Sequence, residues 1–255
     1  MTYTDTLRLY DAYVDGYRDA DGALPAMMQL KRVHTNHVVA NARAIAEAEN
    51  FPEDLREAAA VAALLHDTGR YEQLKRYNTF RDADSVDHAV FSHDIVREKG
   101  WVQDEAILAA ILYHNRRDLP PGLDERTRLL SHIVRDSDKL DIFRVLEDQV
   151  AHTDWRHDSR AFWNLPTTRA PNPAVVDAIL SRRPVDYQNI QSLSDFVLIQ
   201  VGWMISGLHF ATARRLTHAR NHLAFRRAFL HELTSSPDID ILCDLAARVL
   251  AGEAT

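Results

Sequence analysis

Apolar side chains recur three and four positions apart through most of this chain, with charged and polar positions between them. That spacing places the apolar side chains on one face of an α-helix. Residues that interrupt helices are scarce, with 8 glycines and 9 prolines among 255 residues. The pattern therefore predicts an all-α protein whose amphipathic helices bury a core.

Prolines, glycines and polar clusters divide the chain into elements. The polar, aromatic and basic stretch 70–86 indicates a loop or a short helix, and an irregular excursion is predicted for 151–173. The chain has no internal repeat, low-complexity tract or evident linker, so a single domain, 1–255, is predicted. One helix is predicted to begin at 51–53 and to run up to His66 and Asp67. The other predicted helices are 4–20, 25–48, 86–99, 102–115, 124–150, 174–181, 190–217 and 219–250.

One stretch concentrates the candidate chemistry: residues 63–70, Ala-Leu-Leu-His-Asp-Thr-Gly-Arg. An apolar helical run leads into His66 and Asp67, and Gly69 is expected to end that helix. An imidazole beside a carboxylate at the end of a buried helix suits a divalent metal ion and leaves coordination positions open. Alone the pair is weak evidence, because a His-Asp dipeptide also occurs by chance.

Further candidate ligands lie on other predicted helices, mostly on or beside an apolar face. Spacing leaves alternatives for two of them. His37 is three residues after His34 and can share its helix face, and spacing does not decide among Asp136, Asp138 and Asp141 as the ligand. The candidates are His34, His88, His114 and Asp138.

The composition narrows the class of protein. The formal net charge of −7 argues against a generally basic nucleic-acid-binding surface. The single cysteine, Cys243, excludes an intrachain disulfide and a cysteine-rich zinc site, and fits a reducing compartment. The N-terminus lacks a secretion-signal pattern, and no uncharged apolar stretch reaches the roughly 18 residues of a membrane span. A cytoplasmic protein without a membrane partner is predicted.

The motifs around these candidates resemble those of the HD-domain metal-dependent phosphohydrolase superfamily. In that family a His, a His-Asp pair and a distal Asp lie on a helical bundle. The resemblance covers roughly residues 25–145. Its motifs in this chain are His34-Thr-Asn-His-Val38, Leu64-Leu65-His66-Asp67-Thr-Gly69, Asp87-His88-Ala89, Tyr113-His114-Asn115 and Asp136-Ser-Asp138-Lys139-Leu-Asp141.

The resemblance implies an HD-domain helical bundle over about 25–145 with a C-terminal helical extension over about 146–255. It implies one or two divalent transition-metal ions, and a mixed His/carboxylate set suits Mn, Fe, Co, Ni or Zn. Asp67 would bridge the two ions, and the Asp-Lys-Leu-Asp order favours Asp138 over its two neighbouring acids, which would orient a ligand histidine. The implied ligands are His34, His66, Asp67 and Asp138 for the first ion, and Asp67, His88 and His114 for the second ion or for the phosphate.

Basic and aromatic residues near these ligands are candidates for binding a phosphorylated substrate. Arg70 and Lys139 adjoin ligands, so with Asp67 they are the predicted catalytic residues. The alternatives are a solvated charged loop for the cations and lid packing for the aromatic residues. The predicted substrate-binding residues are Arg70, Lys75, Tyr77, Arg81 and Lys139.

The leading functional hypothesis is hydrolysis of a small phosphate ester, most simply a nucleotide or other phosphomonoester, by a metal-activated hydroxide. A phosphodiesterase of cyclic or linear dinucleotides on the same site is the runner-up. Residues 113–120 lack the double His and the Gly-Tyr-Pro run of the cyclic-di-GMP branch of the family. A metal- and nucleotide-binding sensor without turnover and a di-iron oxygenase remain as alternatives.

Two further features receive simpler interpretations. His218 and His222 are four residues apart, and without an acidic third ligand they are interpreted as a surface pair. No role is assigned to His93, His152, His157, His209 or His231. The apolar residues of the C-terminal helices are core candidates, or candidates for a homodimer face. They are Phe196, Val197, Ile199, Trp203, Ile205, Leu208 and Phe210.

Overall fold

The computed structural model describes residues 2–157, 162 and 164–253. In these ranges every regular element is a helix, which confirms the all-α prediction. The chain divides into two compact units, Met1–Asp141 and Ile142–Thr255. The prediction of a single domain stays a prediction. None of the helices in the described residues is both long and apolar enough to cross a membrane.

The first unit contains six complete helices and the start of a seventh in its described residues. The first helix is shorter than predicted, because the chain leaves it at Gly16 and turns. The stretch 70–86 contains a short helix followed by an irregular segment. The helices are α1 (Tyr3–Asp15), α2 (Ala26–Ala48), α3 (Glu53–Leu65), α4 (Gly69–Tyr77), α5 (His88–Glu98), α6 (Glu105–Tyr113) and the start of α7 (Glu125–His152).

Helix α3 lies at the centre of the first unit. Every residue from Ala58 to Leu65 is buried, because this stretch contains only alanine, valine and leucine. The helix packs against α1, α2 and α6, and its small side chains allow close approach of those neighbours. This packing carries the end of the helix into the interior, where His66 and Asp67 follow.

The prediction that Gly69 ends this helix is wrong. Helix α3 ends at Leu65, residues 66–68 form a turn, and Gly69 is the first residue of α4. A Cβ atom at position 69 would lie 2.7 Å from the backbone nitrogen of Ser92 in α5. The Gly69 N–H donates a 2.9 Å hydrogen bond to Ser92 Oγ. The glycine is therefore explained by the close approach of α4 to α5.

The second unit has more breaks than predicted. The predicted helix 190–217 is interrupted by a π-helical turn at Trp203–Gly207. The predicted helix 219–250 starts late, because Asn221 adopts a left-handed conformation with φ 57°, and it is broken again before Pro237. Its elements are the end of α7, α8 (Pro173–Leu180), α9 (Leu193–Gly202), α10 (Ala211–Ala219), α11 (His222–Leu233) and α12 (Asp238–Leu250).

The described residues between α7 and α8 lie outside α-helices, as predicted, while residues 158–161 and 163 of that excursion lie outside the described ranges. Five of the seven apolar candidates in 196–210 are buried in the second unit, and Phe196 and Trp203 are half-buried. The homodimer stays a prediction. The buried five are Val197, Ile199, Ile205, Leu208 and Phe210.

A fully buried arginine lies in the second unit. The guanidinium of Arg226 donates to Glu147 Oε1 at 2.8 Å, to Gln200 Oε1 at 2.8 and 3.0 Å, and to the carbonyls of Phe143 and His222 at 2.9 and 2.8 Å. His222 Nδ1 lies 2.7 Å from the same Glu147 oxygen. We call Glu147, Gln200, His222 and Arg226 the arginine cluster.

Candidate metal centre

Four side chains from two helices and one turn converge in the first unit, and we call them the first ligand cluster. His34 comes from α2, Asp138 from α7, and His66 and Asp67 from the turn after α3. His34 Nε2 lies 3.2 Å from Asp138 Oδ1 and 3.6 Å from Asp67 Oδ2. His66 Nε2 lies 3.6 Å from Asp67 Oδ2 and 3.8 Å from Asp138 Oδ1. Two imidazole nitrogens and two carboxylate oxygens therefore face one another.

A second ligand cluster shares Asp67 with the first. His88 opens α5 and His114 directly follows α6. Their Nε2 atoms lie 3.6 and 3.7 Å from Asp67 Oδ1, and 3.0 Å from each other. Since Oδ2 of Asp67 faces the first cluster and Oδ1 faces the second, this carboxylate has the geometry of a bridge between two ions.

Two of the four histidines are fixed by backbone carbonyls. His66 Nδ1 donates to the carbonyl of Ala63, and His114 Nδ1 donates to that of Ile111, both at 2.7 Å. A carbonyl oxygen can only accept, so the proton of each neutral ring is on Nδ1 and the lone pair is on Nε2. Both residues follow the last residue of a helix, which places the carbonyl three residues earlier within reach.

The other two histidines are fixed by carboxylates. His34 Nδ1 lies 2.7 Å from Asp141 Oδ2, and His88 Nδ1 lies 2.5 Å from Asp82 Oδ2. An ionised carboxylate can only accept, so these rings also carry their proton on Nδ1. Each cluster thus contains one carbonyl-held and one carboxylate-held histidine, and all four Nε2 atoms face Asp67 or Asp138.

The clusters fit divalent metal ions. His34 Nε2, His66 Nε2 and Asp67 Oδ1 are buried without a hydrogen-bond partner, an arrangement that costs about 1–3 kcal/mol for each atom. Ligand atoms of His34, His66 and Asp138 lie within 4.8 Å of one another, as do those of His66, Asp67 and His114. Imidazole nitrogens with carboxylate oxygens suit first-row divalent metals, and a bound cation would satisfy the unpaired atoms.

A protein-family model matches the region that contains both ligand clusters. Residues 33–142 match the family model of the HD domain. This part of the chain is similar to HD domains. The resemblance found in the sequence is therefore confirmed, and HD domains are in general metal-dependent phosphohydrolases that bind divalent metals. The comparison with curated proteins and the comparison with solved structures each gave no match.

Burial keeps three histidines of the HD domain neutral. Desolvation lowers the pKa of His66, with a further contribution from the neighbouring His34. Desolvation also lowers the pKa of His88 and of His114 to about 4, assisted by Arg70 and His66 respectively. Because a metal binds the neutral imidazole, these three rings need lose no proton near pH 7 to become ligands.

The carboxylates of the HD domain stay ionised despite their burial. Burial raises the pKa of Asp67, but the cations Lys31 and Arg70, together with the neighbouring histidines, outweigh it and hold the pKa well below its usual range. Burial also raises the pKa of Asp138, but the neighbouring His34 outweighs this effect and lowers the pKa overall. Burial and Lys31 lower the pKa of His34, while the two carboxylates beside its ring raise it overall.

Two cations contact the Asp67 carboxylate. Lys31 Nζ lies 2.7 Å from Asp67 Oδ2, and Arg70 Nε lies 3.5 Å from Asp67 Oδ1. The Phe80 ring lies beside both, with its centre 5.4 Å from Lys31 Nζ and 5.7 Å from the Arg70 guanidinium carbon. Lys31 was not predicted from the sequence. Its position three residues before His34, on the same face of α2, is the signal that would have identified it.

The other predicted substrate-binding residues lie farther from the ligands. Lys75 is exposed with its amine 5.5 Å from the Tyr17 ring centre, and Arg81 pairs with Asp84 at 3.1 Å. Tyr77 is 43% exposed. In the described part of the chain no hydrogen bond or ion pair joins these three residues to a ligand cluster, and their role stays a prediction. Lys139 follows Asp138 on α7, and burial lowers the pKa of its amine to about 8.

The structure distinguishes the alternative ligand candidates that the sequence left open. His37 is exposed, whereas His34 is buried among the ligands. Asp141 holds His34, so of the three acids on α7 it takes the orienting position, while Asp138 faces the first cluster. The interpretation of His218 and His222 as a surface pair is wrong for His222, which is buried in the arginine cluster.

Proposed function

We propose that this protein is a metal-dependent phosphohydrolase that cleaves a small phosphate ester, most simply a nucleotide or other phosphomonoester. One observation carries the proposal: four histidine Nε2 atoms converge on the two oxygens of Asp67, with Asp138 completing the first cluster. That donor set suits two divalent ions sharing one carboxylate.

The chain's own residues would hold the ions. His34, His66 and Asp138 would bind the first ion, His88 and His114 the second, and Asp67 would bridge the two. A pair of divalent ions supplies a water of lowered pKa and neutralises charge on the phosphoryl oxygens. The same donor set is compatible with Mn, Fe, Co, Ni or Zn, because it combines imidazole and carboxylate ligands.

Cations at the rim would bind the phosphoryl oxygens of the substrate. Lys31 is paired with the bridging carboxylate oxygen that faces the first cluster, and its side chain is 15% exposed. If that oxygen served as a metal ligand, the ammonium group of Lys31 would be released from it and could bind phosphate. Arg70 and Lys139 would offset the charge that develops on the phosphoryl group. Phe80 packs beside Lys31 and Arg70, which restricts the directions both side chains can take.

The experiment is phosphate release from a panel of mono- and diesters. The metal-free protein is loaded in turn with Mn²⁺, Co²⁺, Ni²⁺, Fe²⁺ and Zn²⁺, beside Asp67→Ala and the control Asp94→Ala. Asp94 is an exposed acid of α5 whose carboxylate pairs with His93, so its loss should leave turnover unchanged. Asp67→Ala should abolish turnover and lower the metal content.

The outcomes separate the hypotheses. Monoester turnover that is lost in Asp67→Ala and kept in Asp94→Ala supports the proposal. Turnover of diesters alone would overturn the monoester preference in favour of the phosphodiesterase. An absence of turnover with every metal, despite tight metal binding, would overturn hydrolysis as the function.

A further inference from the structure

Asp82 connects the second ligand cluster to the segment that follows α4. It lies in a 3₁₀ turn, Asp82–Asp84, and its Oδ2 accepts the hydrogen bond from His88 Nδ1. Its other oxygen, Oδ1, accepts from Arg70 Nη1 at 2.9 Å and from Gln73 Nε2 at 3.0 Å. The carboxylate thus contacts a candidate ligand with one oxygen and α4 with the other.

We propose that Asp82 is the positioning residue of the second metal site, acting on His88 as Asp141 acts on His34 in the first. The inference rests on the proposed function, because it assumes that His88 is a metal ligand. Both acids contact the Nδ1 atom of a buried histidine whose Nε2 faces Asp67.

The pairing of His88 with His114 explains why such a residue is needed. His114 donates from Nδ1 to a carbonyl, so its Nε2 is an acceptor, and it lies 3.0 Å from Nε2 of His88. If the proton of His88 moved to Nε2, His88 would donate to His114 and both rings would lose the lone pairs a metal needs. Asp82 prevents this, because it accepts a hydrogen bond from the Nδ1–H group of His88 and thereby selects the metal-binding tautomer.

Asp82 is itself held by a buried glutamine. Gln73 is fully buried on α4, and its Nε2 lies within hydrogen-bond distance of Asp82 Oδ1, Ser85 Oγ at 2.8 Å and the Val86 carbonyl at 3.1 Å. Arg70 Nη1 adds a 2.6 Å bond to the Phe80 carbonyl. These bonds fix residues 80–86 against α4, so the carboxylate is presented to His88 from a defined position.

Two measurements without substrate test the proposal. Co²⁺ titration followed by calorimetry and visible absorption gives the number of sites and the affinity of each. Two-bond ¹H–¹⁵N spectra of the metal-free protein report which nitrogen of His88 carries the proton. Because neither readout involves turnover, failure of this inference is distinguishable from failure of the proposed hydrolase activity.

Four variants are compared with the wild type. Asp82→Ala should weaken the second Co²⁺ about 10- to 100-fold, leave the first nearly unchanged and shift His88 toward the Nε2–H tautomer. Asp82→Asn keeps an acceptor and should give an intermediate effect, and it provides the test if the alanine variant folds poorly. Asp141→Ala should weaken the first ion instead. Asp84→Ala, in the same turn but paired with Arg81, should change neither.

Four results would overturn the proposal. The first is a second-site affinity that is the same in Asp82→Ala as in the wild type. The second is equal weakening of both sites, which would indicate a general structural effect. The third is a His88 that keeps its proton on Nδ1 without Asp82. A wild type that binds one Co²⁺ ion would also overturn it, since the inference requires two sites.

Discussion

The two units each bury a cluster of charged and polar side chains, and the clusters differ in how their polar atoms are paired. In the arginine cluster of the second unit, the guanidinium of Arg226 makes five hydrogen bonds to oxygens of neighbouring residues. In the ligand clusters of the first unit, three buried atoms lack a hydrogen-bond partner: His34 Nε2, His66 Nε2 and Asp67 Oδ1.

The difference separates a cluster whose polar atoms are mostly paired from clusters that could hold a metal ion. Polar atoms that are paired hold helices together. Unpaired polar atoms that converge can instead bind a ligand that supplies positive charge. Gln200 Nε2 and His222 Nε2 also lack partners. His222, however, belongs to no group of three or more potential metal ligands in the described part of the chain. Convergence, more than an unpaired atom alone, distinguishes the candidate metal centre.

The largest expected effect comes from His66→Gln, which removes a ligand at the centre of the first cluster. Loss of metal should remove several kcal/mol of transition-state stabilisation, so turnover should fall at least about 10³-fold. The urea midpoint of the metal-free variant should stay near that of the wild type. His93→Gln is the matched control and should keep its turnover. Equal losses in both variants would contradict a local role for His66.

Arg226→Met should have the opposite effect, lowering the stability of the protein without changing its metal binding. It leaves Glu147 and the oxygen of Gln200 without their buried partner, so the free energy of unfolding should fall by about 3–5 kcal/mol. Urea unfolding measures the loss, and metal stoichiometry of the folded variant should be unchanged. The control is Arg227→Met, whose side chain is 39% exposed and should cost less than about 0.5 kcal/mol. Similar losses of unfolding free energy in Arg226→Met and Arg227→Met would contradict a stabilising role specific to the buried arginine.

A smaller, pH-dependent effect is expected from Glu147→Gln. Burial raises the pKa of Glu147, but hydrogen bonds from His222 and Arg226 outweigh it and lower the pKa overall. A carboxyl whose pKa is lowered by folding stabilises the protein above its unfolded pKa, and this stabilisation is lost as pH falls through the folded pKa. The difference in unfolding free energy between wild type and variant should therefore be largest above about pH 5 and shrink toward pH 3. A difference independent of pH would contradict the assignment.

The sequence identified most of the residues that converge in the metal centre. His66 and Asp67 stood out because a polar pair ended an apolar run, and that run is buried in α3 as predicted. The choice of Asp138 over its neighbouring acids came from the family resemblance, since spacing alone does not decide among the three. Their separation into a cluster residue and an orienting residue is visible only when α2 is packed beside α7.

Other features depended on geometry that the sequence does not encode locally. Asp82 lies in an irregular segment without periodicity, so nothing in the pattern connects it to His88. Gly69 was interpreted as a helix end because glycine often has that role, but its reason here is the contact with Ser92 in another helix. Asn221 broke a predicted helix through a left-handed backbone that polar patterning does not reveal.

Helix α7 has a practical consequence for isolating the HD domain as a smaller protein. The family match ends at residue 142, but α7 continues without interruption from Glu125 to His152. A fragment cut after residue 142 would place Asp138 and Asp141 at the frayed end of a severed helix, where the last carbonyls have no partners. Useful truncations must therefore end beyond residue 152, where the helix itself ends.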